Sequence, residues 1–532
     1  MIILGLAIAT SQHHAAALVV DGQVKGAVEE ERLNGIKAYG WHPKGRPGAN
    51  LLNTDGLTIG KAVCKKSVSF LLRRAGLTMS DVDVIAVNGV PFRYQPSRDC
   101  VRDGRYIFVP HHLAHASSVA RASPYKEGGV LTIDGRGEYE TAAFFTFRDG
   151  ALERRLELPA GDGRSIGGVY ETITRVLGFG PNGQGQTMAL ASHAVGDATQ
   201  LSSAFQIRSF NEYTIDEHRV QELAQRRMQG IQDGDGVVGR QLAADLQAAM
   251  EVGIVALGRD GLSRFPSSNL MLAGGVALNC CANSKLRDEL GVNVWVTHAA
   301  HDAGTAIGAA LEVAHLLGEP TQDAIRDAGL GPSYTDEDIE VALKRCGLRA
   351  ESGGLGTAVN RLSRGCVLGF FQTGMEFGPR ALGHRSIIAH PGWPGIAERV
   401  NGIKDRQLWR PFGPSILAEY ALDYFEDASF GPFMTFTTTV RPEKREQVAG
   451  IVHCDGTTRP QAVSADADTP WRRLIEGFHE VTGIPMVLNT SFNGRGKPIV
   501  CSPDQAINEA VILGLDGILL GDLFVDLANK SG

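Results

Sequence analysis

The sequence predicts an α/β protein of two domains, the first of which contains a duplicated lobe. Three observations lead to this fold class. The 532 residues are too many for a single hydrophobic core. The 65 glycines indicate many tight turns and close approaches of the backbone to ligands. A strand–turn–strand pattern occurs twice, about a hundred residues apart.

The duplicated pattern begins at the first residues of the chain. The apolar segment MIILGLAIA predicts a buried strand, and AAALVVDGQV predicts a second strand that turns at Asp21-Gly22. The pattern returns in GGVLTIDGRGEYETAAFFTFRDG, with strands at Val130–Ile133 and Ala142–Phe147 and a turn at Asp149-Gly150. Two such openings, each leading into further α/β sequence, predict two lobes that face a cleft.

A domain junction is expected between residues 316 and 356, which are polar and interrupted by glycine and proline. We place the boundary near residue 340, which gives domains of residues 1–340 and 341–532. The second domain has its own predicted strands at Val367–Gln372, Pro485–Asn489 and Gly517–Leu520. These strands are enough for an independent α/β domain.

Charge and cysteine content exclude several classes of protein. A net charge of −7 argues against broad nucleic-acid binding. No uncharged run is long enough to span a bilayer, and the apolar start has neither a basic region nor a long hydrophobic region typical of a secretory signal. The eight cysteines are scattered without a CxxC pair, which favours reduced thiols. We therefore expect a cytoplasmic protein that binds neither nucleic acid nor membrane.

The segment PHHLAHA places three histidines within five residues. On a helix, His111 and His115 would share a face, and His112 and His115 would do so nearly as well, so the spacing does not choose between the pairs. Asp134 ends a predicted strand, and Asp302 precedes a helix of small residues. Two imidazoles and these two carboxylates would form a mixed nitrogen and oxygen set that suits iron, manganese or zinc.

A glycine pair, Gly274-Gly275, lies between a predicted strand at 270–272 and a helix that begins near Ala277. Such a pair lets backbone N–H groups approach an anion at a helix N-terminus. A plain strand-to-helix connection explains the pair equally well, and the pattern alone does not decide.

Residues 376–415 carry a local excess of positive charge in an acidic protein. Arginine and lysine side chains of this kind bind phosphate oxygens. They are interleaved with Gly, Pro, Phe and Trp, which favours an anion site over a solvated basic face. The basic residues are Arg380, Arg385, Arg399, Lys404, Arg406 and Arg410.

The segment LNTSFNGRGK places Asn489 and Ser491 ahead of a glycine-rich loop. Amide, hydroxyl and backbone donors converging there fit the recognition of a phosphate or carbamoyl group. Arg459 stands alone in a predicted loop, and its sequence context by itself indicates a solvent-exposed residue.

The chain resembles the O-carbamoyltransferase family of nodulation-factor and antibiotic pathways, which includes the enzymes that carbamoylate tobramycin and cephamycins. Seven motifs carry the resemblance and occur in the family's order from about residue 5 to residue 525. They are HHxxHA, IDGxGE, GGVALN, HDAGTAIGAA, FGPRALGHRSI, WRPFGPS and LNTSFN.

The resemblance implies a duplicated actin-like (ASKHA) N-terminal domain and a YrdC-like C-terminal domain. The C-terminal domain would convert carbamoyl phosphate and ATP, with Mg²⁺, to carbamoyl adenylate and pyrophosphate. The N-terminal domain would then transfer the carbamoyl group to a hydroxyl of a small-molecule natural product, such as an antibiotic or a glycoside.

The resemblance also implies roles for particular residues. The metal ligands would be His111, His115, Asp134 and Asp302, with iron as the first expectation and zinc or manganese as alternatives. Lys404 and Arg410 would be catalytic. The expected contacts to carbamoyl phosphate and nucleotide are Arg380, Arg385, Lys404, Arg410, Arg459, Asn489 and Ser491, and the GGVALN motif adds Gly274, Gly275 and Asn279.

The chain departs from the family after the first strand, where members commonly have His-Asp-Ser or His-Asp-Ala and this sequence has Gln12-His13-His14. The general base for the acceptor is unassigned, and His14 is the candidate. Two alternative functions remain: a tRNA threonylcarbamoyl-type modification protein of the same fold, and a catalytically silent metal- and nucleotide-binding regulator. The lack of a basic RNA-binding stripe argues against the first, and the intact charge cluster argues against the second.

Overall fold

The computed structural model describes residues 1–8, 12–40, 64–90, 98–161, 165–180, 182–194, 201–229, 234–320, 323–351 and 353–527. The chain divides into two compact units, of which the N-terminal unit comprises residues 1–34 and 38–325, and the C-terminal unit comprises residues 35–37 and 326–532. The boundary expected near residue 340 falls instead within the helix Asp336–Arg345. A capping box between Thr335 and Asp338 starts that helix inside the polar stretch that suggested a linker.

The first sheet of the N-terminal unit has six strands in the order β3-β2-β1-β4-β6-β5. Strands β1, β2 and β3 form an antiparallel meander, and β4 and β6 run parallel to β1. The strands are β1 (Ile2–Ala7), β2 (Ala15–Val20), β3 (Gln23–Glu29), β4 (Val84–Asn88), β5 (Val101–Asp103) and β6 (Tyr106–Val109).

The second sheet of this unit has five strands in the order β13-β12-β7-β8-β9. It is again a three-strand antiparallel meander, and β12 and β13 run parallel to its first strand β7. A separate hairpin is formed by β10 and β11. The strands are β7 (Glu127–Ile133), β8 (Glu140–Arg148), β9 (Ala151–Pro159), β10 (Phe205–Ile207), β11 (Tyr213–Ile215), β12 (Asn269–Ala273) and β13 (Asn293–Val296).

Apart from the edge strand β5, the two sheets share their strand order and directions, which confirms the duplication predicted from sequence. Both meanders also turn at an Asp-Gly pair with positive φ, at 50° and 76° for Asp21-Gly22 and at 49° and 83° for Asp149-Gly150. These angles are those of the type I′ turn that matches the twist of a two-residue hairpin.

The helices of the N-terminal unit include two that pack closely on each other. Helix α9 lies against β1, where a Cβ on Gly5 would come within 2.0 Å of the Ala306 carbonyl oxygen. It also lies against α3, where a Cβ on Gly308 would come within 1.8 Å of the Ala114 carbonyl oxygen. The helices are α1 (Glu30–Asn34), α2 (Lys65–Arg74), α3 (His111–Ala120), α4 (Ile166–Val176), α5 (Gln184–Ala191), α6 (Glu217–Met228), α7 (Val237–Arg264), α8 (Cys280–Leu290) and α9 (Thr305–Leu316).

The C-terminal unit contains a mixed seven-stranded sheet in the order β19-β16-β20-β15-β14-β21-β22 and a small pair, β17 and β18. The three strands predicted from sequence correspond to β14, β20 and β21. The strands are β14 (Leu368–Phe371), β15 (Arg385–Ala389), β16 (Gly413–Leu417), β17 (Thr438–Thr439), β18 (Thr457–Thr458), β19 (Gln461–Val463), β20 (Met486–Ser491), β21 (Gly517–Leu520) and β22 (Leu523–Asp526).

In the part of this unit that the structure describes, six α-helices accompany the sheet. They are α10 (Asp336–Arg345), α11 (Gly354–Ser363), α12 (Ile396–Ile403), α13 (Ala421–Tyr424), α14 (Pro470–Thr482) and α15 (Pro503–Leu513). Of these, α11, α14 and α15 pack against its strands. Among the described residues of both units, no helix has the length and apolar character that a membrane span requires.

The close approach of β1 to α9 gives a stability prediction. Gly5→Ala should lower the free energy of unfolding by about 1–3 kcal/mol, because the added methyl group has no space beside the Ala306 carbonyl. Gly185→Ala, on an exposed face of α5 where a Cβ meets nothing within 4 Å, is the matched control and should not destabilise. Thermal unfolding of the three proteins would measure the difference, and equal melting temperatures would contradict the packing described here.

Candidate functional site

Helix α3 places two imidazoles on one buried face. It begins at His111, whose backbone N–H donates a 3.0 Å hydrogen bond to Glu138 Oε2, so this donor at the helix start is satisfied. His111 and His115 lie one turn apart, and their Nε2 atoms are 3.1 Å from each other. Both residues are buried, at 3% and 0% exposure.

Asp134 follows β7 and faces both imidazoles. Its Oδ1 accepts hydrogen bonds from the backbone N–H groups of Gly135 at 2.8 Å and Gly275 at 3.1 Å. These two bonds orient the carboxylate, and its Oδ2 lies 2.8 Å from His111 Nε2 and 3.3 Å from His115 Nε2. Asp134 is therefore held in position by backbone donors on one side and presents its other oxygen to the histidines.

Asp302 completes the cluster from the turn that precedes α9. Its Oδ1 lies 3.6 Å from His111 Nε2 and 3.5 Å from His115 Nε2. That oxygen is buried and accepts no hydrogen bond from any described residue. A buried polar oxygen of this kind is costly unless a cation or a donor compensates it.

The four side chains fit a metal ion. Ligands bonded at about 2.1 Å and at angles between about 90° and 109° are separated by about 3.0–3.4 Å, close to the nitrogen–oxygen separations observed here. The ligand atoms all lie within 4.8 Å of one another. Two nitrogens and two oxygens suit iron, zinc or manganese and do not select among them.

The third histidine of the segment points elsewhere. His112 Nδ1 lies 2.8 Å from Thr132 Oγ1, and the ring is fully buried. The spacing left open whether His111 or His112 accompanies His115. In the structure His111 lies with His115 in the cluster, and His112 lies outside it.

Burial and neighbouring charges together shift the pKa values of His111, His112 and Asp134. Burial acts to lower the pKa of His111, but the Asp134 and Asp302 carboxylates outweigh it and raise the pKa to about 9. Burial acts to raise the pKa of Asp134, and hydrogen bonds from His111 and His115 hold it well below its ordinary value. Burial and the two neighbouring histidines lower the pKa of His112 well below its ordinary value.

The glycine pair supports Asp134 and does not present its amides to an anion. Gly274 N–H donates to the Ala300 carbonyl at 2.8 Å, and Gly275 N–H donates to Asp134. Glycine is required at 274 because its φ is 95° and a Cβ would lie 2.1 Å from the Ile133 carbonyl oxygen. Both N–H groups thus have partners inside the protein, and the expected cofactor contact of this pair stays a prediction.

Asn279 is likewise occupied within the fold. Its Oδ1 caps α8 by accepting the Ala282 N–H at 3.0 Å, and its amide exchanges hydrogen bonds of 2.9 Å and 3.0 Å with Gln247. Its place at a helix start explains the capping role, and its expected cofactor contact stays a prediction.

His14, the candidate base, belongs to neither of the histidine clusters found among the described residues. It is buried, and its ring lies edge-on to Tyr39 at a centroid distance of 6.0 Å. Its neighbour His13 instead lies with Glu29 and His301 in a second group of possible metal ligands. Sequence reasoning missed His13 because two adjacent histidines are equivalent until the direction of each side chain is known.

In the C-terminal unit, Lys404 comes together with the loop that follows β20. Its Nζ donates to the Asn493 carbonyl at 2.8 Å, to Asn493 Oδ1 at 3.2 Å and to the Ser491 carbonyl. Ser491 Oγ donates to the same Asn493 Oδ1 at 2.6 Å. Burial, followed by the charges of Arg406 and Arg410, lowers the pKa of Lys404 well below its ordinary value.

Three guanidinium groups lie near one another, and two of them, those of Arg406 and Arg410, lie near Lys404. Burial, and then the charges of Arg410 and Arg459, lower the pKa of Arg406 to about 9. Burial, and then the charge of Arg459, lower the pKa of Arg410. Arg406 Nη2 and Arg459 Nε are buried donors without an acceptor among the described residues. Arg459, which the sequence alone placed in solvent, therefore joins an electropositive group, and Arg406 is an additional member.

The other expected anion contacts differ among themselves. Arg385 is fully buried and directs its Nη atoms to four backbone carbonyls, two of them those of Gln372 and Pro332. Its guanidinium therefore organises the fold, and its expected phosphate contact stays a prediction. Arg399 pairs with Asp516 at 2.7 Å and is not part of the electropositive group. Arg380 is half-buried. Asn489 donates to Ala381 and Ser415, and its buried Oδ1 has no described donor.

Comparison with known proteins identifies the family. Residues 97–311 match the carbamoyltransferase N-terminus, and residues 359–526 match the carbamoyltransferase C-terminus. The nodulation protein NolNO of Sinorhizobium fredii is 32% identical over 97% of this chain and 79% of that protein. The chain belongs to the carbamoyltransferase family. The enzyme is also 33% identical to the nodulation protein NolO of Bradyrhizobium diazoefficiens, over 78% of each chain.

Solved structures resemble the carbamoyltransferase more distantly. The activator of the 2-hydroxyisocaproyl-CoA dehydratase from Clostridium difficile gives a TM-score of 0.38 at 14% identity, over 59% of this chain and 94% of that one. The duplicated architecture is established by the strand orders of the two sheets.

The raised pKa of His111 predicts a pH dependence for the metal-free carbamoyltransferase. The pKa of about 9 in the folded protein exceeds the unfolded value of about 6.5, so the protonated imidazole stabilises the fold. This stability is complete below about pH 6.5 and is lost as the pH rises through about 9. Melting temperatures of chelator-treated protein should fall over that range more steeply than those of His111→Gln. Parallel curves for the two proteins would contradict the assignment.

Proposed function

We propose that the chain is an ATP-dependent O-carbamoyltransferase that acts on a hydroxyl of a small-molecule natural product. The observation that carries the proposal is the presence of two buried sites of opposite character in a member of this family. The C-terminal unit gathers cations, and the N-terminal unit gathers two imidazoles and two carboxylates. The first suits anionic substrates and the second suits a metal ion.

The C-terminal unit would activate the carbamoyl group, with the YrdC-like fold and activity that the resemblance implies. Arg406, Arg410 and Arg459 carry like charges that are desolvated together, so a bound polyphosphate would relieve their repulsion. Lys404 would add a fourth cation once its carbonyl contacts open toward the ligand. The enzyme would stabilise charge on the transferring phosphoryl group chiefly by electrostatics.

The atoms of this half-reaction balance with water as co-reactant. Carbamoyl phosphate and water give carbamate and inorganic phosphate. The carbamate oxygen then displaces pyrophosphate from the α-phosphorus of ATP, and carbamoyl adenylate forms. Mg²⁺ would accompany ATP and offset the charge of the departing pyrophosphate.

The N-terminal unit would transfer the carbamoyl group to the acceptor hydroxyl, which forms a bond to the carbamoyl carbon as AMP leaves. His111, His115, Asp134 and Asp302 would hold the metal ion. When bound, that ion supplies Lewis-acid polarisation of the carbamoyl group. Gly135 and Gly275 would keep the Asp134 carboxylate aligned through their N–H groups.

Isotope exchange tests the activation half. Radioactive pyrophosphate should enter ATP only when carbamoyl phosphate is present. Lys404→Ala should lower the exchange rate by about 100-fold or more, because it removes a buried cation from the phosphoryl site. Lys344→Ala, an exposed lysine at the end of α10, is the matched control and should exchange normally. Absence of exchange in the parent enzyme would exclude the proposed activation.

Metal content tests the transfer site. After reconstitution with Fe²⁺, His115→Ala and Asp302→Ala should lose most of the ion bound by this cluster, because each removes one of four ligands. His112→Ala should retain it, because His112 bonds to Thr132 instead. Elemental analysis of the folded proteins measures this, and loss of metal in the His112 variant alone would overturn the ligand set.

A further inference from the structure

A second cluster of titratable side chains lies in the N-terminal unit and has no role in the proposed function above. His13, Glu29 and His301 each offer one ligand atom, and these atoms all lie within 4.8 Å of one another. The rings of His13 and His301 meet edge-on with centroids 4.8 Å apart.

The strand pairing brings this cluster together. His13 stands just before β2, and Glu29 is the last residue of β3, which pairs with β2 so that Ala15 lies opposite Glu29. His301 follows β13 of the second sheet and immediately precedes Asp302, a ligand of the first cluster. Because His301 and Asp302 are consecutive, the two clusters lie side by side.

The cluster contains buried nitrogen atoms that no described residue satisfies. His301 is 5% exposed, and both its Nδ1 and its Nε2 have no hydrogen-bond partner among the described side chains and backbone groups. His13 Nδ1 is buried and unpartnered in the same sense. A buried polar atom without a partner is unfavourable, and a ligand that binds there would remove this cost.

The backbone of His13 is itself unusual. Its φ is 60°, in the left-handed region that residues other than glycine rarely adopt. Such conformations persist where the surrounding structure holds them, and they concentrate at binding sites. Here the conformation turns the His13 ring toward His301.

The cluster combines one carboxylate with two imidazoles. Glu29 Oε1 accepts a 3.2 Å hydrogen bond from Arg32, and the same guanidinium pairs with Glu31 at 3.0 Å. Arg32 thereby bridges the two carboxylates. Two imidazoles and one carboxylate with open positions form a ligand set that divalent transition metals commonly occupy.

We propose that His13, Glu29 and His301 bind a second divalent transition-metal ion beside the His111–Asp302 cluster. The role of this ion rests on the proposed function. An acceptor hydroxyl coordinated there would have a lowered pKa and would release its proton to water, and its oxygen would then bond to the carbamoyl carbon as AMP leaves. This would supply the activation for which His14 was the expected base.

Metal stoichiometry tests the proposal. Mn²⁺ is the probe, because it prefers nitrogen and oxygen ligands to thiolates and so keeps the eight cysteines out of the count. Chelated full-length protein is reloaded with Mn²⁺, desalted and analysed for bound metal without ATP, carbamoyl phosphate or acceptor. We expect two ions per chain in the parent protein and one in Glu29→Gln and in His13→Asn.

His298→Asn is the matched control. His298 is a buried histidine on the same segment as His301, but it belongs to neither cluster among the described residues, so this variant should keep two ions. Glu29→Gln preserves shape, and His13 is only half-buried, so both variants are suited to remain folded, which their melting temperatures check.

One ion in the parent protein, two ions in both test variants, or one ion in His298→Asn would each overturn the second site. The count is read without substrates, so it is independent of whether the carbamoyl-transfer reaction occurs. Failure of the pyrophosphate exchange would instead bear on the proposed function alone.

Discussion

The candidate metal centre depends on the contacts that the Asp134 carboxylate makes. One oxygen is fixed by the N–H groups of Gly135 and Gly275, and the other reaches both His111 and His115. This single side chain thereby joins the end of β7, the glycine turn after β12 and the first turns of α3. The requirement for a close backbone approach at that point explains why glycine occupies position 274.

The two units compensate their buried charges in opposite ways. In the N-terminal unit, carboxylates and imidazoles partly neutralise each other, and the unpaired Oδ1 of Asp302 leaves a place for a cation. In the C-terminal unit, burial and neighbouring arginines lower the pKa of Arg406 and Arg410, and Lys404 donates to backbone carbonyls, which leaves a place for an anion. Each site is therefore stabilised by the kind of ligand that the proposed reaction brings to it.

Local signals predicted much of this arrangement. The Asp-Gly turns revealed the duplicated lobes, and the family motifs brought together four ligands that are far apart in sequence. Interactions that depend on tertiary partners were not predictable. Asn279 caps a helix, Arg385 binds carbonyls, and His13 rather than His14 faces His301. In each case the residue type was compatible with both roles, and the direction of the side chain decided.

The ligand set of the metal centre can be tested by anomalous X-ray scattering from crystals of iron-loaded protein, recorded at the iron absorption edge. We expect an anomalous peak within about 2.0–2.3 Å of the Nε2 atoms of His111 and His115 and of carboxylate oxygens of Asp134 and Asp302. Iron bound through His112 in place of His111, or no peak beside Asp134, would contradict it.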